Sequence, residues 1–432
     1  MTAMIGFAKV FWLEIVSLVR SKTLAMLAVA SVAWMFAAPF IAKGDGTADG
    51  AREMFVRYSL GGAFAILLVS LLAAATGSLA RERAAKRLQL TMVRPVNHML
   101  VALAKTAALT LSGAAVLALC CLLMPFAPGV GDGVLGRQCS HVLKPRLPSA
   151  REEARDMYDA YMADPETPAA VKKAKKSVVL RLLENRAIDH YQTIATNDTV
   201  TWHFASAETA AEAEGLAVRI RFTNQFDVRQ DVRGELRIGP LSGAVSNITQ
   251  AVVTVPLSRR AAEADVAGAA DGLSFSNMGS SSLMLRPRKD IDLLVPADSF
   301  AWNLARAYLE MVSILAIAVA FGVFLGASLG RPVALFVAIV TLVVGEISPS
   351  VIEQYPDELE TSVADRIGLV LTRFAAEVTR PVAALQPLGR LASDECVEPR
   401  ETARVVLMDF VAVPLALALL AGLVLPRKQD GL

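Results

Sequence analysis

Six stretches of the chain are apolar over about the 20 residues that a helix needs to cross the hydrocarbon core of a bilayer. They are Thr23 to Ala42, Tyr58 to Ala80, Met99 to Phe126, Ala307 to Leu329, Pro332 to Ile347 and Val405 to Leu425. The fifth is the shortest and ends at the charge of Glu346, so five spans fit the pattern as well as six. The residues ahead of the first stretch follow another pattern. On a helical projection Gly6, Lys9, Glu14, Ser17, Arg20 and Ser21 share one arc, with Leu13 and Val10 as large apolar residues inside it. Ile5, Phe11, Trp12, Ile15, Val16 and Val19 cover the remainder. Residues 1–22 therefore read as an amphipathic helix lying in the membrane interface, or else as an extension of the first span. They lack the early positive region and small-residue cleavage site of a signal peptide.

Between the third and fourth apolar stretches, residues 127–299 have the texture of a soluble domain. Pro128, Gly129, Gly131, Gly133 and Gly136 form a loop at its start. Two helices are expected next, one from the capping box Ser149 to Glu152 and one from Thr167 with Pro168 at its first position. After residue 197 the period becomes two. Val200, Trp202 and Phe204 alternate with polar residues, as do Leu216 to Phe222, Leu236 with Ile238, Ala251 to Leu257, and Leu283 with Leu285. The expectation is a helical hairpin plus an antiparallel, β-sandwich-like sheet, an α+β insertion. A second polar segment, residues 348–404, is broken by Pro349, Pro356, Pro381, Pro387 and Pro399. It carries a helical apolar stripe of Val363, Ile367, Val370, Leu371, Phe374 and Val378.

Charge orients these spans. Lys9, Arg20 and Lys22 precede the first; Arg81, Arg83, Lys86, Arg87 and Arg94 separate the second from the third; Arg331 separates the fourth from the fifth; Arg427 and Lys428 follow the sixth. With six spans all of them fall on one side, which the positive-inside rule makes cytoplasmic. Both termini are then cytoplasmic in a multi-pass cell-membrane protein, and residues 127–299 and 348–404 are extracytoplasmic. The expected order is an interfacial helix (1–22), spans one to three (23–126) with a cytoplasmic loop at 81–98, the α+β domain, spans four and five (300–347), the outer segment, and span six with its tail (405–432).

Composition agrees: 54% of residues are hydrophobic and 19% charged, outside the balance of soluble domains. A net charge of +2 gives no electrostatic case for nucleic acid, and the run Lys172, Lys173, Lys175 and Lys176 reads as a solvated helix face. Cys120 and Cys121 lie in an apolar stretch and act as small hydrophobes. Cys139 and Cys396 lie in outer segments, where they could pair in an oxidising compartment. Cys139 with His141 is too small a set for a metal site. His190 and His203 stand alone, and no hydrolase or zinc-protease motif occurs.

The stretch Arg81 to Lys105, RERAAKRLQLTMVRPVNHMLVALAK, carries the functional signal. Glu82, Arg83 and Lys86 begin a short amphipathic helix, Leu88, Leu90, Met92 and Val93 supply apolar surface, Pro95 ends it, and Lys105 sits within the next span. Glu82 lies 13 residues before Pro95, Leu88 seven before it, and Lys105 ten after it. This stretch resembles the cytoplasmic loop of ABC type-2 exporter permeases, although Lys86-Arg87 stands where that family commonly has Gly-Thr. The resemblance extends to the interfacial helix, the six spans, the broken outer segment and the short basic tail, and leaves the α+β domain unexplained. It implies a coupling helix docked on a separate ATP-binding subunit, with Glu82, Arg83, Arg87, Leu88 and Pro95 at the contact. ATP and magnesium would be bound by that partner, since no Gly-x-x-x-x-Gly-Lys-Ser/Thr sequence occurs in this chain. No enzyme activity is expected in the chain itself. It also implies a second permease copy, as a homodimer or close heterodimer.

Gly322, Gly326 and Gly330 recur every four residues and suit close helix packing, within the chain or across a dimer. Glu310 and Asp409 are ionisable residues within spans, which mark functional positions by default. Arg306, one turn before Glu310, is its nearest candidate partner, and Asp409 has none. Two other classes compete with transport: a membrane-anchored extracytoplasmic binding or sensor protein, for which six spans are more than an anchor needs, and a membrane enzyme, for which no His, Asp or Glu cluster is present. Lipids, glycolipids, polymers and hydrophobic drugs all fit the chain as cargo.

Overall fold

The computed structural model describes residues 2–41, 53–84, 97–126, 137–146, 150–165, 176–204, 215–223, 230–249, 251–259, 272–354 and 386–427. The chain divides into two compact units. One joins Met1–Arg137 to Ser299–Leu432, and the other is Gln138–Asp298.

The first unit is helical: α1 (Thr2–Arg20), α2 (Thr23–Ile41), α3 (Gly61–Ala84) and α4 (His98–Leu123). Five of its helices are long and apolar enough to cross a membrane: Thr23–Ile41, Glu53–Glu82, His98–Phe126, Phe300–Ser328 and Pro399–Leu425. The chain is thus a membrane-embedded protein with several apolar helices and a β-containing unit. The sixth expected span, Pro332 to Ile347, does not meet that criterion. It lies on a 24-residue helix, Arg331–Gln354, whose apolar part among the described residues is the shorter Arg331–Val343. Gly345, Glu346, Ser348 and Ser350 dilute the rest of that helix.

The strongest packing signal lies in Phe300–Ser328. Its apolar window is 83% buried, against 17% for Thr23–Ile41 and for Pro399–Leu425, so it is the axis around which the others assemble. Its glycines allow that. A Cβ on Gly322 would stand 2.8 Å from the Ala75 Cβ, and one on Gly326 would stand 2.5 Å from the Thr76 carbonyl oxygen. Both face α3, so the close approach is made within the chain. Gly330 lies past the helix end, and nothing is within 4 Å of its Cβ position. Two short π-helical stretches, Val56–Leu60 ahead of α3 and Val406–Ala412 in the last span, shift the helical register. At the first, the Trp34 indole donates to the Tyr58 carbonyl oxygen at 3.0 Å. Between α1 and α2 the chain breaks at Ser21-Lys22, where Lys22 adopts the left-handed φ of 57°, so α1 is a helix of its own and not an extension of the span.

The second unit is a two-sheet sandwich with antiparallel pairing throughout its recorded registers. Its strands are β1 (Gln138–Leu143), β2 (Pro145–Arg146), β3 (Thr193–Ile194), β4 (Thr199–Phe204), β5 (Ala217–Arg221), β6 (Asp231–Ile238), β7 (Leu241–Ile248), β8 (Val252–Pro256), β9 (Ser258–Arg259), β10 (Gly272–Asn277), β11 (Leu283–Met284) and β12 (Ile291–Ser299). One sheet has the order β1-β12-β5-β8 and the other β2-β4-β10-β6-β7-β9, with β11-β3 as a small pair. Trp202, Phe222, Leu236, Phe275 and Leu293 lie in the shared core. Burial alternates strictly along β4 and β6, as expected for strands with one face on a core. The helices α5 (Ala150–Ala163) and α6 (Lys176–Gln192) pack on each other through a separate small cluster of Ala154, Val179 and Leu183. Thr167-Pro168, and the stripe expected between Val363 and Val378, fall outside the described residues.

Candidate functional site

Lys105 sits two turns into α4, among buried Val101, Ala102, Ala104, Ala108 and Leu109. The small residues around it leave room for a long side chain and supply it no polar partner of their own. Its Nζ is held by two carboxylates from elsewhere in the chain: Glu14 Oε2 of α1 at 2.7 Å and Glu82 Oε1 at the end of α3 at 2.8 Å. The lysine side chain is 3% exposed, Glu14 15% and Glu82 31%. An ammonium withdrawn this far from water costs several kcal/mol unless it is paired and hydrogen-bonded. Here two charged acceptors compensate it, and the charge triad ties three helices together.

Each member is aimed by its own element. In α1, Val10 and Leu18 pack on the helical core and Phe7 stacks on Phe11 at 6.1 Å. Glu14, on the same side of the helix, is thereby turned inward. In α3, helical backbone runs unbroken through Arg81, Glu82, Arg83 and Ala84. These residues close the preceding span and do not begin a separate amphipathic helix. At the start of α4 the Asn97 side chain accepts from the Met99 N–H at 3.1 Å, a cap that fixes where that helix begins. The loop between α3 and α4 thus leaves one rigid helix and arrives at another, and the triad joins the two just inside it. The end of the last span closes on the same place: a Cβ on Gly422 would lie 2.8 Å from the Met99 Cα. Arg81 and Arg331 both approach Gly77, with their Nε atoms 3.3 Å from its Cβ position.

Of the residues expected to meet an ATPase, Glu82 is placed on Lys105. Arg83 lies in the last turn of α3, and Arg87, Leu88 and Pro95 fall outside the described residues. Glu14 was visible in the sequence as part of a polar arc. Its being the one carboxylate in α1 was the available hint that this arc is covered by protein.

A different set of contacts closes the opposite end of the unit. Asn303, fully buried, donates from Nδ2 to the Glu395 carbonyl oxygen at 2.8 Å and accepts from the Val397 N–H at 2.7 Å. Arg306 donates to the Val397 carbonyl oxygen at 3.2 Å. Glu310 accepts from the Thr402 hydroxyl at 3.0 Å, so its contact comes from Thr402 and not from Arg306 one turn earlier. Arg390 donates to Glu401 at 2.5 Å, and that hydrogen bond raises the guanidinium above the ordinary arginine range. Asp409, in the π-helical stretch, is half-buried, and no hydrogen bond reaches it among the described residues.

Cys139 and Cys396 are disulfide-bonded, and Cys120 and Cys121 are free. No group of three or more His, Cys, Asp or Glu that could hold a metal ion occurs among the described residues; His203 is exposed on β4. A comparison with protein-family models, curated proteins and solved structures finds no match to this chain.

Proposed function

We propose that this chain is the permease subunit of an ATP-driven exporter, moving its cargo with energy from a separate ATP-binding subunit. The observation that carries the reading is the Glu14–Lys105–Glu82 triad, together with the resemblance of residues 81–105 to the coupling loop of ABC type-2 permeases. A push on residues 85–96 from a partner is delivered to α3 and α4 at once. The triad extends it to α1, because separating any member exposes an uncompensated charge. In this reading Arg83, Arg87, Leu88 and Pro95 meet the partner, while Glu82 works inside the chain through Lys105.

Six crossings are part of the proposal. Asn303, at the start of Phe300–Ser328, is hydrogen-bonded to residues 395 and 397, just ahead of the last span. The chain between them leaves one membrane face and returns to it, which takes an even number of crossings. Phe300–Ser328 is one, and Arg331–Gln354 supplies the other; at about 1.5 Å per residue its 24 residues reach about 36 Å. Disulfides persist in oxidising compartments, so disulfide-bonded Cys139 and Cys396 favour both segments lying outside the cytoplasm. The termini are then cytoplasmic in a cell membrane, a second permease copy completes the pathway, and no nucleotide, metal or nucleic acid binds this chain directly.

Co-purification tests the reading: an ATP-binding subunit should be encoded beside this chain and should co-elute with it. Charge reversal at Arg83 should weaken the complex, and reversal at Glu82 should leave the complex intact and uncouple its ATPase from cargo. If both variants bind and couple like the wild type, the assignment of the loop is wrong.

A further inference from the structure

The outward face of α1 has an unusual charge distribution for a helix bearing four ionisable residues with Lys22 counted at its end. Its one acid, Glu14, is turned inward onto Lys105. Lys9, Arg20 and Lys22 are all exposed, and no acid pairs with them among the described residues. At 100° per residue Lys9 and Arg20 lie within about 20° of each other, forming one basic strip. Beside that strip stands a band of exposed apolar side chains: Met4, Ile5, Trp12 and Val19 are 79%, 47%, 65% and 57% exposed. The helix therefore offers acyl chains an apolar band and, at its margin, three cations with no counter-charge among the described residues.

We propose that this face is a docking surface for anionic phospholipid headgroups of the leaflet in which α1 lies. Charge complementarity favours such a lipid over a zwitterionic one, because three unpaired cations gain from a net negative headgroup and gain little from a neutral one. A protein partner is disfavoured by continuity. Only Ser21 and Lys22 separate Arg20 from the α2 span, and exposed Met26 and Val29 carry the apolar surface on into the membrane. Lipid bound here bears on the opposite face of the same helix, where Glu14 holds Lys105, so headgroup occupancy sets how firmly α1 is seated on the triad. The binding claim is independent of the export reading, and only its regulatory consequence rests on it.

The full chain in nanodiscs tests the binding claim without any ATPase, by quenching of Trp12 fluorescence with brominated lipid; a Trp12→Phe protein supplies the background. Each basic residue beside an anionic surface favours it by about fivefold, so three predict at least about a tenfold preference for brominated phosphatidylglycerol over brominated phosphatidylcholine. The preference should collapse in 1 M salt, as charge screening requires, and in the exposed-site variant Lys9→Gln/Arg20→Gln/Lys22→Gln. Equal quenching by the two lipids overturns the proposal. So does an absence of Trp12 quenching by either lipid, which would place protein on this face, and so does a preference that survives the triple substitution. Stimulation of the partner ATPase by phosphatidylglycerol in wild type, absent in the triple variant, is a separate readout. Its failure beside intact lipid preference would count against export coupling and leave the docking surface standing.

Discussion

At one end of the helical unit two carboxylates converge on the buried Lys105 ammonium; at the other, hydrogen bonds of Asn303, Arg306 and Glu310 to backbone groups and a hydroxyl fasten Phe300–Ser328 to residues 395–402. The two closures have different mechanical characters. A buried ammonium between two carboxylates resists separation in any direction, because every displacement uncovers charge in a medium that solvates it poorly. The amide and hydroxyl contacts of Asn303 and Thr402 are directional and short-ranged, and each holds one strand of chain in one place. The end closed on Lys105 suits transmission of a displacement, and the hydrogen-bonded end suits a fixed point against which to transmit it.

The largest expected effect breaks the charged end. Lys105→Met leaves Glu14 and Glu82 facing each other without a cation, and should cost about 3–5 kcal/mol, read as a lowered thermal unfolding midpoint in detergent. Neutralising all three positions, with Glu14→Gln and Glu82→Gln added, should recover most of that midpoint while leaving transport coupling lost. Next comes the packing that both ends depend on. Gly326→Ala drives a methyl into the Thr76 backbone and should cost about 1–3 kcal/mol by the same measurement. Asn303→Ala, at the hydrogen-bonded end, leaves the buried Val397 N–H without its acceptor. It should cost about 1–3 kcal/mol and, unlike Lys105→Met, should speed limited proteolysis between residues 386 and 398. The smallest effect is expected at Gly330→Ala, where the Cβ position is empty; the unfolding midpoint should stay within about 0.5 kcal/mol of wild type.

How much of this was legible in the sequence depends on the range of the interaction. Helices of span length announce themselves, because about 20 apolar residues in a row need no partner to be recognised. Alternation in β4, β5, β6 and β8 was readable for the same reason. By contrast β12 begins with Ile291, Leu293 and Leu294 buried around a buried Asp292, and β7, LSGAVSNI, is made largely of small residues; neither shows a clean period of two. In β12 the Asp292 that spoils the pattern faces Arg219 across the register of β5 and also pairs with Lys144, a reason the chain itself does not display. The span at Pro332 to Ile347 fell short because its apolar run is diluted after Val343, and the case for its crossing rests on loop charge and on the contact of Asn303 with residues 395–397. At the candidate site, Glu82 and Lys105 could be picked out because their offsets from Pro95 resemble those of the ABC type-2 permease loop. Glu14 could not be assigned, since its partner lies 91 residues away and periodicity tells which face a residue is on without telling what covers it.

The contacts of Asn303 and Glu310 set an order of events in the making of the protein. Their partners at Glu395, Val397 and Thr402 lie 92 to 94 residues downstream. While the chain is being synthesised, Phe300–Ser328 reaches the insertion machinery with a buried amide and a buried carboxylate that have nothing yet to bond. Unsatisfied polar groups are poorly tolerated in lipid. The central helix is therefore an incomplete guest of the bilayer until the final span arrives to finish it, and a chain that stops short of residue 395 should be retained by the insertion machinery or cleared by membrane proteases.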